Sequence, residues 1–255
     1  MDRADDLTKQ RESAAEILGF YRAVLGYQFE LYRELHRARR ADAMARNPFA
    51  EPLVAEAGRG LGGFLKMIEE SGPAKLAEAA AQLGISGQDA QYEWLAAFWS
   101  GAPGFQGADD FLARAYLQPL GALLREKASI RWSGPAPYVC PHCGRKPSGG
   151  VLRPLGEGGQ RSLICSFCLG EWEFRRMVCA ACGEERPDKL AVYTADDLPH
   201  VRVEACESCK SYIKTVDLTK SGLGEPVVDE IASVALDLWA QGRGYAKLQV
   251  NLMQM

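Results

Sequence analysis

The amino-acid sequence predicts a helical N-terminal domain, then two small β-containing metal modules in tandem, then a C-terminal helix. Apolar residues recur at helical spacing up to about residue 130, and a stretch rich in proline and glycine follows at 133–137. Beyond that break, all eight cysteines fall in Cys-x-x-Cys pairs. We therefore place the predicted domains at 1–133, 134–172, 173–220 and 221–255. The last segment is expected to pack on the helical domain.

The composition is that of a globular chain with a full core. Of the 255 residues, 47% are hydrophobic and 25% are charged, with a formal net charge of −3. This balance gives no global basic footprint for nucleic acid or for an anionic membrane. The acidic start lacks the basic and apolar pattern of a secretory signal, and no apolar run is long enough to span a bilayer. We expect a cytoplasmic protein without membrane insertion.

The helical half is predicted from apolar periodicity. One helix carries apolar side chains at steps of three and four residues, at Leu18, Tyr21, Leu25, Phe29 and Tyr32. Asn47-Pro48 is expected to end it. Further helical patterns follow at 52–70, 73–83, 88–100 and 109–126. A final helix is predicted to begin at Pro226 and to end near Gly242.

The region 138–219 contains an internal repeat of two hairpins. In the first, two β-forming stretches flank the turn at 156–159 and lead into Cys165. In the second, two similar stretches flank the turn at 196–199 and lead into Cys206. Each hairpin thus connects one cysteine pair to the next.

The spacing of the cysteine pairs predicts two metal sites. The pairs are Cys140/Cys143, Cys165/Cys168, Cys179/Cys182 and Cys206/Cys209. The first two pairs are separated by 21 residues and the last two by 23, and each gap holds one hairpin, as in rubredoxin-like and zinc-ribbon-like modules. The central gap of 10 residues, 169–178, has no turn signal and is predicted to be a connector. We therefore predict that the first pair joins the second, and the third joins the fourth.

Other uses of these cysteines stay open at this point. A cross-braced arrangement would join the first pair to the third and the second to the fourth. The tetrapeptide at 140–143 could also be a redox dithiol, although Gly144 and Pro147 oppose the helix that such a site requires. Four thiolates suit iron and zinc alike and leave no position for water, and the sequence shows no triad or phosphate-binding loop. We therefore predict a protein that is not an enzyme.

The cysteine region resembles the formate dehydrogenase accessory protein family, FdhE. Four stretches carry the resemblance: Cys140-Pro141-His142-Cys143-Gly144 with Pro147, 163–172, 206–214 with Asp217, and 235–239 with Gly244-Tyr245. The resemblance implies two rubredoxin-like modules that bind iron, in preference to zinc. It also implies a cytoplasmic protein that contacts the catalytic subunit of formate dehydrogenase and assists its maturation. The oligomeric state, a homodimer included, is left open.

Six residues near the predicted sites are candidates for partner binding: Glu171, Trp172, Arg175, Arg176, Tyr212 and Lys214. Trp172 could anchor a partner or cover the seam between the modules. Lys214 could contact a client or donate to a thiolate. The competing function is a zinc-ribbon nucleic-acid-binding protein, which the mixed charges of 139–220 oppose.

Overall fold

The computed structural model describes residues 2–10, 12–37, 58–128 and 136–255. Its α-helices are α1 (Asp2–Gln10), α2 (Glu12–Arg37), α3 (Leu61–Ser71), α4 (Ala74–Gly84), α5 (Gln88–Ser100), α6 (Gly107–Lys127), α7 (Pro226–Ala232) and α8 (Val234–Gly242). Its strands are β1 (Pro147–Leu155), β2 (Gly158–Cys165), β3 (Glu171–Glu173), β4 (Leu190–Thr194), β5 (Val201–Cys206), β6 (Ser211–Asp217) and β7 (Ala246–Lys247). Among these residues, no helix has the length and apolar character needed to cross a bilayer.

The helices of residues 20–130 form one compact unit. Helix α6 is buried along most of its length, and α5 and α6 match the predicted helices at 88–100 and 109–126. The predicted helix end at Asn47-Pro48 and the start of the break at 133–137 lie outside the described residues. The pattern at 52–70 is only partly described, and α3 accounts for its second half.

The buried stripe of α2 differs from the predicted one. Tyr21 is buried as expected, but Phe29 is 61% exposed. The buried positions of α2 are Ala14, Leu18, Tyr21, Val24, Gln28 and Leu31. The polar Gln28 is accommodated because its side-chain amide donates to the carbonyl oxygen of Ala115 at 2.7 Å. From Tyr21 onward, a step of three or of four residues leads to different predicted buried positions, and both fit helical spacing. A pattern of apolar residues alone also cannot predict that the polar Gln28 is buried.

The strands form one mixed sheet in the order β3-β2-β1-β6-β5-β4, with β7 paired to β6. Both predicted hairpins are present, as β1–β2 and β4–β5. The first turns through Gly156-Glu157, and the φ of +57° at Gly156 suits a tight two-residue turn. The connector at 169–178 contains β3, which pairs with β2. The helical domain and two cysteine-bearing hairpin modules thus confirm the predicted fold class.

The two hairpin modules share one sheet. Strand β6, which follows the last cysteine pair, pairs antiparallel with β5 and parallel with β1. The parallel register joins Gly150–Leu152 to Thr215–Asp217. A Cβ at Gly150 would lie 2.5 Å from the hydroxyl of Thr215, so the close approach of these strands requires glycine. The modules are therefore joined by main-chain hydrogen bonds.

Helices α7 and α8 cover one face of this sheet. Val201, Val203 and Tyr212 on the covered face pack with Leu236 and Ala240 of α8. The C-terminal segment is thus two helices that meet at Ser233, where the prediction had one. Helix α7 packs on α1, β1 and β6.

Helix α1 belongs to the same compact unit as the sheet. An ion pair attaches it to α7, because Nη2 of Arg3 lies 2.5 Å from Oδ1 of Asp229. The Nε2 atom of His200 lies 2.8 Å from the same oxygen. Asp229 is buried, which by itself raises its pKa, but these partners outweigh burial and lower it. The N-terminal helix is therefore held by a charge pair that the helical pattern did not predict.

Candidate metal centres

The first hairpin brings four cysteines together. Cys140 and Cys143 lie in the turn before β1, while Cys165 ends β2 and Cys168 follows it. Their sulfur atoms all lie within 4.8 Å of one another. The Cys140 and Cys168 sulfurs are 3.5 Å apart, and the Cys143 and Cys165 sulfurs are 3.3 Å apart. We call this group the first tetrad.

The second hairpin builds an equivalent group from Cys179, Cys182, Cys206 and Cys209, called here the second tetrad. Its sulfur atoms also lie within 4.8 Å of one another. The Cys179 and Cys209 sulfurs are 3.7 Å apart, and those of Cys182 and Cys206 are 3.8 Å apart. The positions of the sulfur atoms thus confirm that the first cysteine pair joins the second and the third joins the fourth. The cross-braced alternative is wrong.

Each of the four cysteine pairs lies on its own tight turn, and the four turns have the same backbone conformation. The residue after the second cysteine has a positive φ in all four cases: Gly144 (72°), Leu169 (54°), Gly183 (79°) and Lys210 (56°). At Gly144, Gly183 and Lys210 the backbone N–H donates to the carbonyl of the first cysteine of the pair, at 2.9 to 3.0 Å. Glycine adopts this conformation freely, whereas leucine and lysine do so at a cost. Leu169 and Lys210 therefore adopt an unfavourable backbone conformation that the turns around the cysteine pairs require.

Backbone N–H groups also donate hydrogen bonds to the cysteine sulfur atoms. The N–H of Phe167 donates to the sulfur of Cys165 at 3.3 Å, and the N–H of Ala181 donates to the sulfur of Cys179 at 3.4 Å. Such donors stabilise negative charge on a thiolate. The turn after Cys143 leads into β1 without a helix, so the structure does not provide the helix that the redox-dithiol alternative requires.

The tetrads fit a tetrahedral thiolate-bound cation. Metal–sulfur bonds of about 2.3 Å in a tetrahedron place neighbouring sulfurs about 3.8 Å apart. The sulfur pairs at 3.3 to 3.8 Å are close to that value. Each tetrad could therefore hold one metal ion, and four thiolates suit both zinc and iron. A complete thiolate shell supports structure or, with iron, the transfer of one electron.

Burial and neighbouring thiols shift the pKa values of the tetrad cysteines in opposite directions. Hydrogen bonding with Cys143 and with the other two thiols lowers the pKa of Cys140. In the second tetrad, burial raises the pKa of Cys179 to about 12. Burial also acts to raise the pKa of Cys209, but hydrogen bonds from Ser211 and the neighbouring thiols outweigh it and lower the pKa to about 7. Hydrogen bonds from neighbouring groups thus favour the thiolate form at Cys140 and at Cys209.

The two tetrads differ in their access to solvent. In the first, three cysteines are buried and Cys143 is half-buried. In the second, Cys182 is exposed and Cys209 is half-buried. Similar hairpins therefore produce one enclosed centre and one centre that reagents can reach.

Comparisons with known proteins agree on one family. The model of the FdhE central domain matches residues 139–176, and the model of the FdhE C-terminal domain matches residues 177–254. Residues 139–254 match the FdhE family. The two matched regions meet at residues 176 and 177, within the connector between the tetrads, so each FdhE domain contains one tetrad.

Curated FdhE homologues match part of this chain. The FdhE homologue of Aquifex aeolicus is 38% identical over 144 residues, which are 56% of this chain and 51% of the relative. The homologue of Haemophilus influenzae strain PittEE is 36% identical over 115 residues, 45% of this chain and 37% of the relative. The chain thus spans about half, or less, of the curated relatives it matches.

The fold is similar to a solved FdhE structure over nearly the whole chain. The crystal structure of FdhE from Pseudomonas aeruginosa superimposes with a TM-score of 0.70 and 24% identity. The alignment covers 99% of this chain and 93% of that one. At this identity the likeness concerns the fold, and it extends to the helical half.

Three of the six candidate partner-binding residues lie in the interior of the FdhE region. Trp172 is only 8% exposed, and its indole N–H donates to the carbonyl of Pro137 at 2.8 Å. Tyr212 is 1% exposed and donates to Asp237 at 2.8 Å. Lys214 has no exposed surface, and its ammonium donates to acceptors on α7, α8 and their junction. These positions do not suit surface anchors, because their polar atoms are already bound inside the protein.

The other three candidates are exposed: Glu171, Arg175 and Arg176. Glu171 accepts two hydrogen bonds from Arg153, at 2.6 and 2.9 Å. Arg175 pairs with Glu185 at 2.5 Å. Exposed pairs of this kind contribute little to stability, so a partner can replace them at small cost. Partner binding by these three residues stays a prediction.

Sequence reasoning missed several residues at or near the two tetrads. Leu169 and Lys210 adopt the left-handed conformation that glycine signals at the other two turns. Arg202 and Glu204 alternate with buried valines along β5, and both side chains lie on the face away from the helices. That alternation was visible in the sequence and predicts a strand with one polar face.

Proposed function

We propose that this chain is a metal-carrying accessory protein that assists the maturation or assembly of respiratory formate dehydrogenase in the cytoplasm. It binds the catalytic subunit through the tandem rubredoxin-like region, and it carries iron in both tetrads. It does not itself oxidise formate.

The main support is the coincidence of one complete tetrad with each matched FdhE domain. A shell of four thiolates offers no open position to a substrate, which fits a protein that carries or senses a metal better than one that uses it for hydrolysis. Iron is favoured over zinc because a rubredoxin-like centre can exchange an electron with a client without rearranging its ligands.

The exposed connector provides the candidate contact with the catalytic subunit. Glu171, Arg175 and Arg176 lie between the two tetrads, and their side chains are accessible. The nucleic-acid alternative receives little support from the connector and its neighbours, because several basic residues there pair with acidic ones. Arg153 pairs with Glu171, and Arg186 pairs with Glu184 at 2.9 Å.

Deletion of the gene tests the proposed role. We expect the deletion strain to lose respiratory formate oxidation while the formate dehydrogenase polypeptides are still made. The wild-type gene should restore activity, whereas a gene encoding both Cys140→Ser and Cys182→Ser should not. Formate oxidation that persists in the deletion strain would exclude the role. Loss of the polypeptides themselves would point to their synthesis instead of their maturation.

A further inference from the structure

A pocket of about 210 Å³ lies beside the second tetrad. Its floor is formed by β4, β5 and the start of β6, and one of its walls is the chain segment from Arg176 to Ala181. Leu190, Cys206 and Glu204 line this floor, on the sheet face opposite the core that α8 covers. The pocket is smaller than the roughly 300 to 1,000 Å³ of sites for drug-sized ligands, so it suits a side chain better than a cofactor.

Apart from the tetrad cysteines Cys179 and Cys206, arginines outnumber carboxylates in the lining. Three arginines, Arg161, Arg176 and Arg202, line the pocket with a single carboxylate, that of Glu204. This carboxylate is shared, since Nη2 of Arg161 lies 2.5 Å from one oxygen and Nη2 of Arg202 lies 2.8 Å from the other. Arg176 is exposed, and its Nη1 is 3.5 Å from the carbonyl of Gly159. The pocket is therefore complementary to a negative group.

Arg161 is a buried charge with a spare donor. Its side chain is 1% exposed, and its Nε has no hydrogen-bond partner among the described residues. The guanidinium is held by the carbonyl of Arg175 at 3.0 Å and lies over the ring of Phe174 at 5.3 Å. A buried donor without an acceptor is costly, and Arg161 is among the residues that line the pocket, where a carboxylate would find charged hydrogen-bond donors.

The pocket adjoins an open sheet edge. In the described part of the chain, β4 pairs with β5 and ends the sheet on that side. Val192 on this strand is 54% exposed, and Met177 on the opposite wall is 53% exposed. An edge strand offers unpaired N–H and C=O groups, and a chain added to it would direct alternate side chains over the pocket.

We propose that this pocket binds an extended acidic segment of a partner protein. The segment pairs with the free edge of β4, packs apolar side chains against Val192 and Met177, and places a carboxylate near Arg161 and Arg176. The bound segment then lies beside the exposed second tetrad. This binding does not depend on the partner being formate dehydrogenase, so peptide binding can be tested apart from the deletion phenotype.

Fluorescence anisotropy with the labelled hexapeptide Val-Thr-Glu-Thr-Val-Thr, whose valines and glutamate share one face of an extended strand, tests the site on the full, metal-loaded chain. The matched probe carries glutamine in place of glutamate. We expect the glutamate peptide to bind at least about tenfold more tightly, as the loss of charge-assisted hydrogen bonds predicts. Arg176→Gln should weaken binding about tenfold, whereas Arg243→Gln, at an exposed arginine outside the lining, should not. Val192→Asp should also weaken it, because it adds a like charge at an exposed position.

Amide chemical shifts of 190–194 locate the bound peptide on β4. Shifts confined to these residues and to the pocket lining support the proposed pairing. Equal binding of both probes, or an Arg176→Gln protein that binds like wild type, would overturn the acidic specificity. Glutarate that competes as well as the peptide would overturn the strand pairing, because the site would then recognise a carboxylate alone. Metal content and circular dichroism of each variant confirm that the fold is intact.

Discussion

At the scale of single residues, Trp172 is fixed by a hydrogen bond at the rim of the first module. Its indole donates to Pro137, and it lies opposite Leu163 in the pairing of β2 with β3. Trp172→Phe keeps most of the packing but leaves the carbonyl of Pro137 without this donor. We expect a loss of about 1 to 2 kcal/mol in the free energy of unfolding.

Thermal unfolding of the metal-loaded protein without any client measures this loss, with metal content determined in parallel. A Trp172→Phe protein as stable as wild type but weak in client binding would contradict the interior role and return Trp172 to the candidate anchors.

Exposure of Cys182 predicts that the second tetrad releases its metal first. A chelator and an alkylating agent reach an exposed thiolate sooner than the enclosed sulfurs of the first tetrad. During limited treatment with chelator and iodoacetamide, we expect one equivalent of metal to leave before the other. Mass spectrometry should then find label at Cys182 and Cys209 while Cys165 and Cys168 remain unmodified. Earlier labelling of the first tetrad would contradict this order.

At the scale of secondary-structure elements, a buried group of four charges joins the C-terminal segment to the sheet. Lys214 of β6 and Lys247 of β7 contact Glu230 of α7 and Asp237 of α8. The Nζ of Lys214 lies 2.5 Å from Asp237, and that of Lys247 lies 3.0 Å from the other oxygen of the same carboxylate. Opposite charges balance within the group, which allows it to be buried.

Lys214→Met should lower the free energy of unfolding by about 3 to 5 kcal/mol, because it leaves two buried carboxylates with a single cation. Lys220→Met, at an exposed lysine just beyond β6, is the matched control and should be within about 0.5 kcal/mol of wild type. Chemical denaturation measures both. A Lys214→Met protein that is as stable as the control would show that the charge group does not hold the helices.

The hairpins were predictable from sequence, whereas their union into one sheet was not. Turn residues and cysteine spacing are local signals, so they predicted β1–β2, β4–β5 and the grouping of the cysteines. The parallel pairing of Gly150–Leu152 with Thr215–Asp217 joins segments far apart in sequence, and no local pattern encodes it. The same holds for Lys214: its place near a cysteine pair predicted a client contact or a donor to a thiolate, whereas its partners lie on α7 and α8.

At the scale of the whole molecule, the two modules should bind metal independently of each other, whereas the stability of one module should depend on the other. Each tetrad is built from one hairpin, so Cys140→Ser should abolish metal binding at the first site alone and reduce metal content to about half. Cys182→Ser should do the same at the second site. Because β1 and β6 belong to one sheet, each variant should also lower the stability of the other module.

Elemental analysis and denaturant unfolding of both cysteine variants separate these effects. Loss of both metals from either variant would contradict independent loading. Unchanged stability of the intact module would contradict the coupling through β1 and β6.

The two tetrads lead us to expect that each hairpin module holds one metal in a shell of four thiolates. Metal analysis combined with X-ray absorption on the anaerobically purified chain tests it most directly. We predict two equivalents of metal per chain, each with four sulfur neighbours at about 2.3 Å, and sulfur-to-iron charge-transfer bands if the metal is iron. One equivalent of metal, or eight freely titratable thiols in the folded protein, would contradict the claim.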